Sequence, residues 1–315
     1  MTDRPVVTVP VGMPEDLLSG LSRDFDVVQL PPGTRPDPDG LVGWLADGSV
    51  RIDEELLSAL PGLRVVTIDG VGHDFVDLTA TRARGIAVGN VAGVVDDAVA
   101  ELALALILAL GRDVVDGDRY CRDGRWIADG PDARVGDQVT GSRVGILGMG
   151  RIGSRLAELL VPLRMDVVYV ARRPRPELEA AGIARPIGRD ELFASSDFVV
   201  SLLPASAETR GSIGAHEFGL MRSTARFLNL GRGSVVHTPA LVRALHDGAI
   251  AGAALDVMEH EPIPAGDELL TAPRMILQPH VGAATHRTRR AMLQAATEDL
   301  RRGALGLPLR IPVIG

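Results

Sequence analysis

One short stretch constrains the fold of this chain more than any other. From Val144 to Gly153 the sequence reads Val-Gly-Ile-Leu-Gly-Met-Gly-Arg-Ile-Gly, an apolar run that breaks into a glycine-rich turn and resumes as a helix. The pattern predicts a strand over 143–147, a helix over 151–164 and a second strand over 165–171. Gly148, Gly150 and Gly153 supply G-x-G-x-x-G: the first for the tight turn, the second for close approach of backbone amides to a pyrophosphate, the third for helix–strand packing. The helix that follows points its positive end at the phosphates. Glycine-rich turns alone are weak signals in a chain with 36 Gly. The strand–turn–helix–strand context makes this one a dinucleotide-binding unit.

Around it, short Val/Ile-rich runs alternate with helix-like segments, the mark of parallel α/β sheets. Strands are expected at 6–10, 26–30, 41–45, 64–68 and 86–89, with helices at 54–59 and 77–84. Residues 31–40 hold four prolines and two glycines and read as a loop. A long helix is expected from Asp96 to about Val115, then a Gly/Asp/Arg-rich loop over 116–141. Further strands fall at 198–203, 226–230, 252–257 and 275–278. Further helices fall at 214–221, broken at Gly219, at 239–247 and at 285–302. The length of 315 residues suits about two domains. The strands after the long helix suffice for one doubly wound sheet, and the first 95 residues for a smaller one. The last helix alone does not say which domain it joins.

Composition narrows the partners. The net charge of −8 argues against nucleic acid. The most apolar run, 102–110, has nine residues against roughly 20 needed to span a bilayer, so no membrane partner is expected. The N-terminal residues lack the ordered regions of a signal peptide. A single cysteine, Cys121, suits a reducing, cytoplasmic setting. All 33 basic residues are arginine, which removes lysine Schiff-base and lysine-base chemistry. No metal is expected.

Three more segments place polar residues just past apolar runs, where open α/β sheets bind ligands. Arg232 lies between Gly231 and Gly233, its planar fork suited to a carboxylate. Asp256 lies near the end of the run at 252–257, and Glu259, His260 and Glu261 follow it. His280 follows Leu277-Gln-Pro. Each alone would read as a structural histidine or a solvated charge; their joint occurrence carries the argument.

These segments resemble the D-isomer-specific 2-hydroxyacid dehydrogenase family, from about Leu41 to Pro312. The resemblance implies two Rossmann-like domains: a doubly wound nucleotide-binding domain over 96–285, and a smaller flavodoxin-like substrate domain over 1–95 plus 286–315. It assigns Arg232, Glu261 and His280 as the catalytic arginine, glutamate and histidine, with Glu261 preferred to Glu259 because Pro262 follows it. A 2-keto acid would take a hydride at C2 and a proton from His280, whose imidazolium Glu261 favours. Arg232 would hold the carboxylate and carbonyl. Gly70, Val71 and Gly72 look like the family's carboxylate-binding turn, and Gly48 lies in a second substrate loop. The cofactor positions implied are Val91, the turn Gly148 to Gly153 with Met149, Arg151 and Ile152, then Leu203 and Pro204. Leu230, Gly231, Asp256, Gly282 and Ala283 complete them.

The strand tip after the fingerprint carries Arg172 and Arg173 where an NAD-specific site has an acid. Arginine there suits a 2′-phosphate, so NADP(H) is the expected cofactor and NAD(H) the alternative; plain surface arginines are the competing reading. Within the family the chain is most similar to NADPH-dependent glyoxylate/hydroxypyruvate reductases, including the hydroxyphenylpyruvate reductase-like group. Phosphite dehydrogenases need a lysine that this chain lacks, and formate dehydrogenases have glutamine where Glu261 stands. Three departures stand out: His237 for the usual aspartate, Gly231 for the commoner alanine, and His73-Asp74 after the substrate turn. The expected partners are a small 2-keto or 2-hydroxy acid and a second copy in a homodimer, to which the helix at 96–115 would contribute. A family of this kind also includes nucleotide-sensing corepressors, the alternative to an enzyme.

Overall fold

A computed structural model describes residues 4–129 and 135–313. The reading of the extreme N-terminus, and residues 130–134 of the expected loop, fall largely or wholly outside them. The chain forms two compact units: Met1–Val95 with Thr285–Gly315, and Asp96–Ala284.

The first unit holds a parallel sheet of β1 (Val6–Pro10), β2 (Asp26–Leu30), β3 (Leu41–Ala46), β4 (Val65–Ile68) and β5 (Ala87–Gly89) in the order β2-β1-β3-β4-β5. That is the flavodoxin-like order. β3 and β4 are buried along their whole length, as central strands covered on both faces must be. Helices α1 (Glu15–Leu21), α2 (Glu54–Ser58) and α3 (Leu78–Ala83) connect them. Asp53 and Asp77 cap the latter two by accepting amide N–H bonds. The C-terminal helix, His286–Ala304, lies against β3 and β4, so closely that a Cβ on Gly43 would stand 2.9 Å from Leu300 Cδ1. Buried Asp299 accepts the amides of Arg310 (2.7 Å) and Ile311 (2.8 Å), tying down the tail.

The second unit begins with α4 (Asp96–Gly111), α5 (Val114–Arg122) and α6 (Arg125–Asp129). Its sheet comprises β6 (Arg143–Leu147), β7 (Asp166–Val170), β8 (Arg185–Pro186), β9 (Phe198–Ser201), β10 (Arg226–Asn229), β11 (Gly252–Leu255) and β12 (Met275–Leu277). All are parallel, ordered β12-β11-β10-β9-β6-β7-β8. Counted within the unit this is 3-2-1-4-5-6-7, the doubly wound arrangement with an extra edge strand. Its order reverses between β6 and β9, where such sheets open a ligand crevice. Helices α7 (Arg151–Leu160), α8 (Pro176–Ala180), α9 (Arg189–Ser195), α10 (Ala215–Leu220) and α11 (Thr238–His246) cover it. One apolar cluster of its core is built on Phe193, Phe218 and Phe227, and further buried side chains such as Ile107, Ile146, Leu156 and Leu160 lie outside that cluster.

Three local expectations are corrected. The loop at 116–141 contains most of α5 and all of α6, because Tyr120 is buried and Arg125 lies over its ring at 4.8 Å. The helix from Asp96 stops at Gly111, and Asp113 takes a left-handed φ of 53° that separates it from α5. Gly219 does not break α10, which runs through it. Among the described residues no helix is long and apolar enough to cross a membrane.

Candidate active site

The polar residues of the second unit are positioned by three adjacent strands. Arg232 follows β10, Glu261 follows β11 and His280 follows β12. Because β10, β11 and β12 are neighbours in register, residues far apart in sequence leave the sheet on one edge.

His280 Nδ1 lies 2.7 Å from Glu261 Oε2. A carboxylate only accepts, so Nδ1–H donates and Nε2 is left as the outward nitrogen. The other oxygen, Oε1, accepts the Met258 amide at 2.9 Å, which fixes the carboxylate plane. The hydrogen bond to Glu261 raises the His280 pKa above its usual value; burial and the Arg232 charge oppose this, while the Glu261 and Asp256 charges add to it. Burial pushes Glu261 up, but the bonds from His280 and Met258, with the charges of His280 and Arg232, leave it lowered. The pair therefore favours imidazolium–carboxylate.

His280 has φ 53°, a conformation uncommon for a non-glycine residue and typical of functional sites. Its amide donates to the Asp256 carbonyl (2.9 Å) and the Gln278 carbonyl (3.0 Å). The Asp256 side chain, 2% exposed, accepts the amides of Val281 (2.8 Å) and Gly282 (2.9 Å). Both its oxygens are thus engaged in holding the loop that carries His280. Burial raises the Asp256 pKa, and those two amides restrain the rise.

Arg232 is held from behind. Buried Asn229 donates from Nδ2 to the Arg232 carbonyl (2.9 Å) and accepts the Gly231 amide (3.2 Å). Nη1 of Arg232 donates to the Gly231 carbonyl at 2.9 Å. A Cβ on Gly233 would lie 1.9 Å from the Met258 carbonyl carbon, so only glycine lets this loop rest on the backbone leading to Glu261. Gly231 has a similar cause: a Cβ there would meet the Leu203 carbonyl oxygen at 2.4 Å.

The glycine turn fits a dinucleotide. Gly148 has φ 98°, and a Cβ on Gly153 would stand 2.5 Å from the Gly148 carbonyl oxygen. Nothing lies within 4 Å of a Cβ on Gly150, leaving that face open to a phosphate. No side chain caps α7, so its first amides remain available. Arg151 pairs with Asp96 at 3.8 Å, while Met149 is buried. Arg172 and Arg173 are exposed just past β7, and the Arg172 charge reaches Glu208. Leu230 and Gly282 are buried, whereas Ile152, Leu203 and Ala283 are half-buried and Pro204 is exposed. His237 precedes α11 without a side-chain capping bond.

Gly48, Gly70, Val71, Gly72 and Val91 belong to the first unit. Val91 is fully buried, and its amide donates to the Gly70 carbonyl at 3.3 Å. Asn90 Nδ2 donates to the Val71 carbonyl at 2.9 Å. With those carbonyls tied back, the amides of Val71 and Gly72 have no acceptor among the described residues.

Sequence reasoning missed two positioning groups. Arg175 Nε donates to the Met149 carbonyl at 2.7 Å, clasping the glycine turn from the start of α8. The third arginine of Arg172-Arg173-Pro-Arg175 was the available signal. Asn229 was the other, marked only by its polar character at the end of an apolar run.

Residues 104–282 match the model described as D-isomer specific 2-hydroxyacid dehydrogenase, NAD binding domain. The chain belongs to the D-isomer-specific 2-hydroxyacid dehydrogenase family. Among its relatives, a glyoxylate/hydroxypyruvate reductase B of Citrobacter koseri is 37% identical over 310 residues, covering 94% of each chain. A glyoxylate reductase of Aeropyrum pernix is 40% identical over 311 residues, covering 94% of this chain and 92% of the relative. A solved NADPH-dependent glyoxylate/hydroxypyruvate reductase from Sinorhizobium meliloti, in complex with NADP and malonate, superimposes with a TM-score of 0.87 at 31% identity. That match covers 98% of this chain and 97% of the other. The chain is thus a 2-hydroxyacid dehydrogenase homologue with a nucleotide-binding unit of the family's kind.

Proposed function

We propose that this dehydrogenase reduces a small 2-keto acid, glyoxylate or hydroxypyruvate in type, to the D-2-hydroxy acid with NADPH. The observation that carries the reading is the His280–Glu261 pair at 2.7 Å, within reach of the Arg232 charge. A nicotinamide cofactor, when bound, would supply the hydride for C2. The carbonyl oxygen then needs a proton, and His280 gives it from Nε2 while Glu261 stabilises the cationic ring beforehand. Arg232 holds the substrate carboxylate and balances charge developing on the carbonyl oxygen. Asp256 and Asn229 act as positioning residues, one on the His280 loop and one on the Arg232 loop.

Three further assignments accompany this. Gly148–Gly153 takes the pyrophosphate, and Arg172 with Arg173 takes the ribose 2′-phosphate, supported by their exposure and the absence of an acid at the β7 tip. The second unit is the NAD(P)-binding domain and the first the substrate domain, with Gly70–Gly72 and Gly48 on the substrate. The protein acts as a cytoplasmic homodimer; the exposed apolar side chains of Leu108, Trp126 and Ile127 (37%, 55% and 93% exposed) give a second copy a surface to cover.

The test is the loss of NADPH absorbance with glyoxylate and hydroxypyruvate. Saturable turnover that depends on Arg232 supports the reading. NADPH binding without turnover of either acid overturns it in favour of a nucleotide-sensing protein.

A further inference from the structure

The first unit carries an acidic pair that its fold does not require. β3 and β4 run in parallel with Ala46 opposite Ile68, so Asp47 and Asp69 leave the sheet side by side. The Asp69 amide donates to the Ala46 carbonyl at 3.4 Å. Each acid heads a glycine turn, Asp47-Gly48 and Asp69-Gly70-Val71-Gly72. Asp47 is accounted for locally: its Oδ1 accepts the Ser49 amide (2.9 Å) and hydroxyl (2.5 Å), and Ser49 Oγ accepts the Gly33 amide (2.7 Å). The half-buried Asp69 carboxyl has no such partner beyond its own backbone amide. Among the described residues no arginine or histidine pairs with either acid. Burial, then the Asp47 charge, pushes the Asp69 pKa up to about 6. Its other titratable neighbours along the turn are His73, whose Nδ1 is enclosed without a hydrogen-bond partner, and Asp74.

A half-buried carboxyl beside a second one is costly without a counter-charge. The apolar run of β4 would be satisfied by almost any residue after Ile68. The unsatisfied amides of Val71 and Gly72 begin two residues further on, within about 7 Å along the chain. An acid seated on those amides brings its remaining atoms near Asp69.

We propose that Asp69, with Asp47 beside it, is a specificity-determining residue that accepts a hydrogen bond from a hydroxyl carried beyond C2 and excludes keto acids bearing a second carboxylate. This rests on the reading of Gly70–Gly72 as the seat of the substrate carboxylate. Asp69→Asn removes the charge and keeps an accepting oxygen, whereas Asp69→Ala removes both.

The experiment measures kcat/KM with NADPH for glyoxylate, hydroxypyruvate and oxaloacetate in the full chain and both variants, with thermal unfolding confirming that each is folded. The oxaloacetate/glyoxylate ratio should rise about tenfold in both variants as the repulsion is lost. The hydroxypyruvate/glyoxylate ratio should fall about tenfold in Asp69→Ala and much less in Asp69→Asn. Ratios unchanged in both variants, with the unsubstituted protein active, overturn this proposal alone. An unsubstituted protein that turns over none of the three acids overturns the reduction reading and this one with it.

Discussion

Replacing Glu261 by Gln tests the proton donor directly. The carboxylate uses both oxygens, one on His280 Nδ1 at 2.7 Å and one on the Met258 amide at 2.9 Å. Glutamine offers one accepting oxygen and must turn its NH2 toward one of those two donors. It also removes the charge that favours imidazolium. A hydrogen bond between charged groups contributes about 1.5–3 kcal/mol. The His280 side chain is 52% exposed and that of Glu261 33%, so solvent screening places the effect near or below the lower end. About 1.4 kcal/mol corresponds to one pKa unit. His280 is held above its usual value, chiefly by its bond to Glu261, and reduction needs the protonated ring. Reductive kcat/KM should therefore be full at low pH and fall as pH rises through the His280 pKa. In Glu261→Gln that basic limb should move down by about one unit, with roughly tenfold less activity on the alkaline side. Oxidation of the hydroxy acid needs the neutral ring, so its acidic limb should move down in parallel. The assay is the pH profile of kcat/KM in both directions. A uniform loss at every pH, with neither limb displaced, would refute Glu261 as the group that sets the His280 proton.

Other perturbations separate the parts of the site. Arg172→Ala with Arg173→Ala should weaken NADPH by about 10- to 100-fold, as charge-assisted bonds are lost, and NADH far less. Equal effects on cofactor titrations would remove the 2′-phosphate assignment. Gly150→Ala should keep the melting temperature yet weaken dinucleotide binding, since its Cβ meets nothing within 4 Å. Gly233→Ala, with its Cβ 1.9 Å from the Met258 carbonyl carbon, should cost about 1–3 kcal/mol or more by overpacking, read by thermal unfolding. Ile127→Glu should shift the protein to monomer in size-exclusion chromatography with light scattering, and an unchanged dimer would place the interface elsewhere.

What could be seen in the sequence follows from where the physics is local. β6, β9, β10 and β11 are buried throughout, apart from the half-buried Arg143, so each is legible from an apolar stretch, with the buried Ser201, Arg226 and Asn229 as its polar exceptions. Helix α5 was not, because Asp116, Gly117 and Asp118 are weak helix formers; burial of Tyr120, a tertiary effect, overrides them. The missed helices α1, α8 and α9 are short, yet Pro14 or Pro176 at the start and acids in the first turn were readable signals. The site divides in the same way. That Arg232, Glu261 and His280 each follow an apolar run is a local fact. That they converge depends on β10, β11 and β12 being neighbours, which no local pattern states. The same holds for the Arg175 bond to the Met149 carbonyl and for the contact of Gly233 with Met258, each a distance between segments. Asp256 shows the same division: resemblance places it at the cofactor, and only the folded loop shows that its two oxygens also take the amides that follow His280. A carboxylate so engaged holds that loop whether or not it also meets the cofactor. Its loss should then displace the histidine.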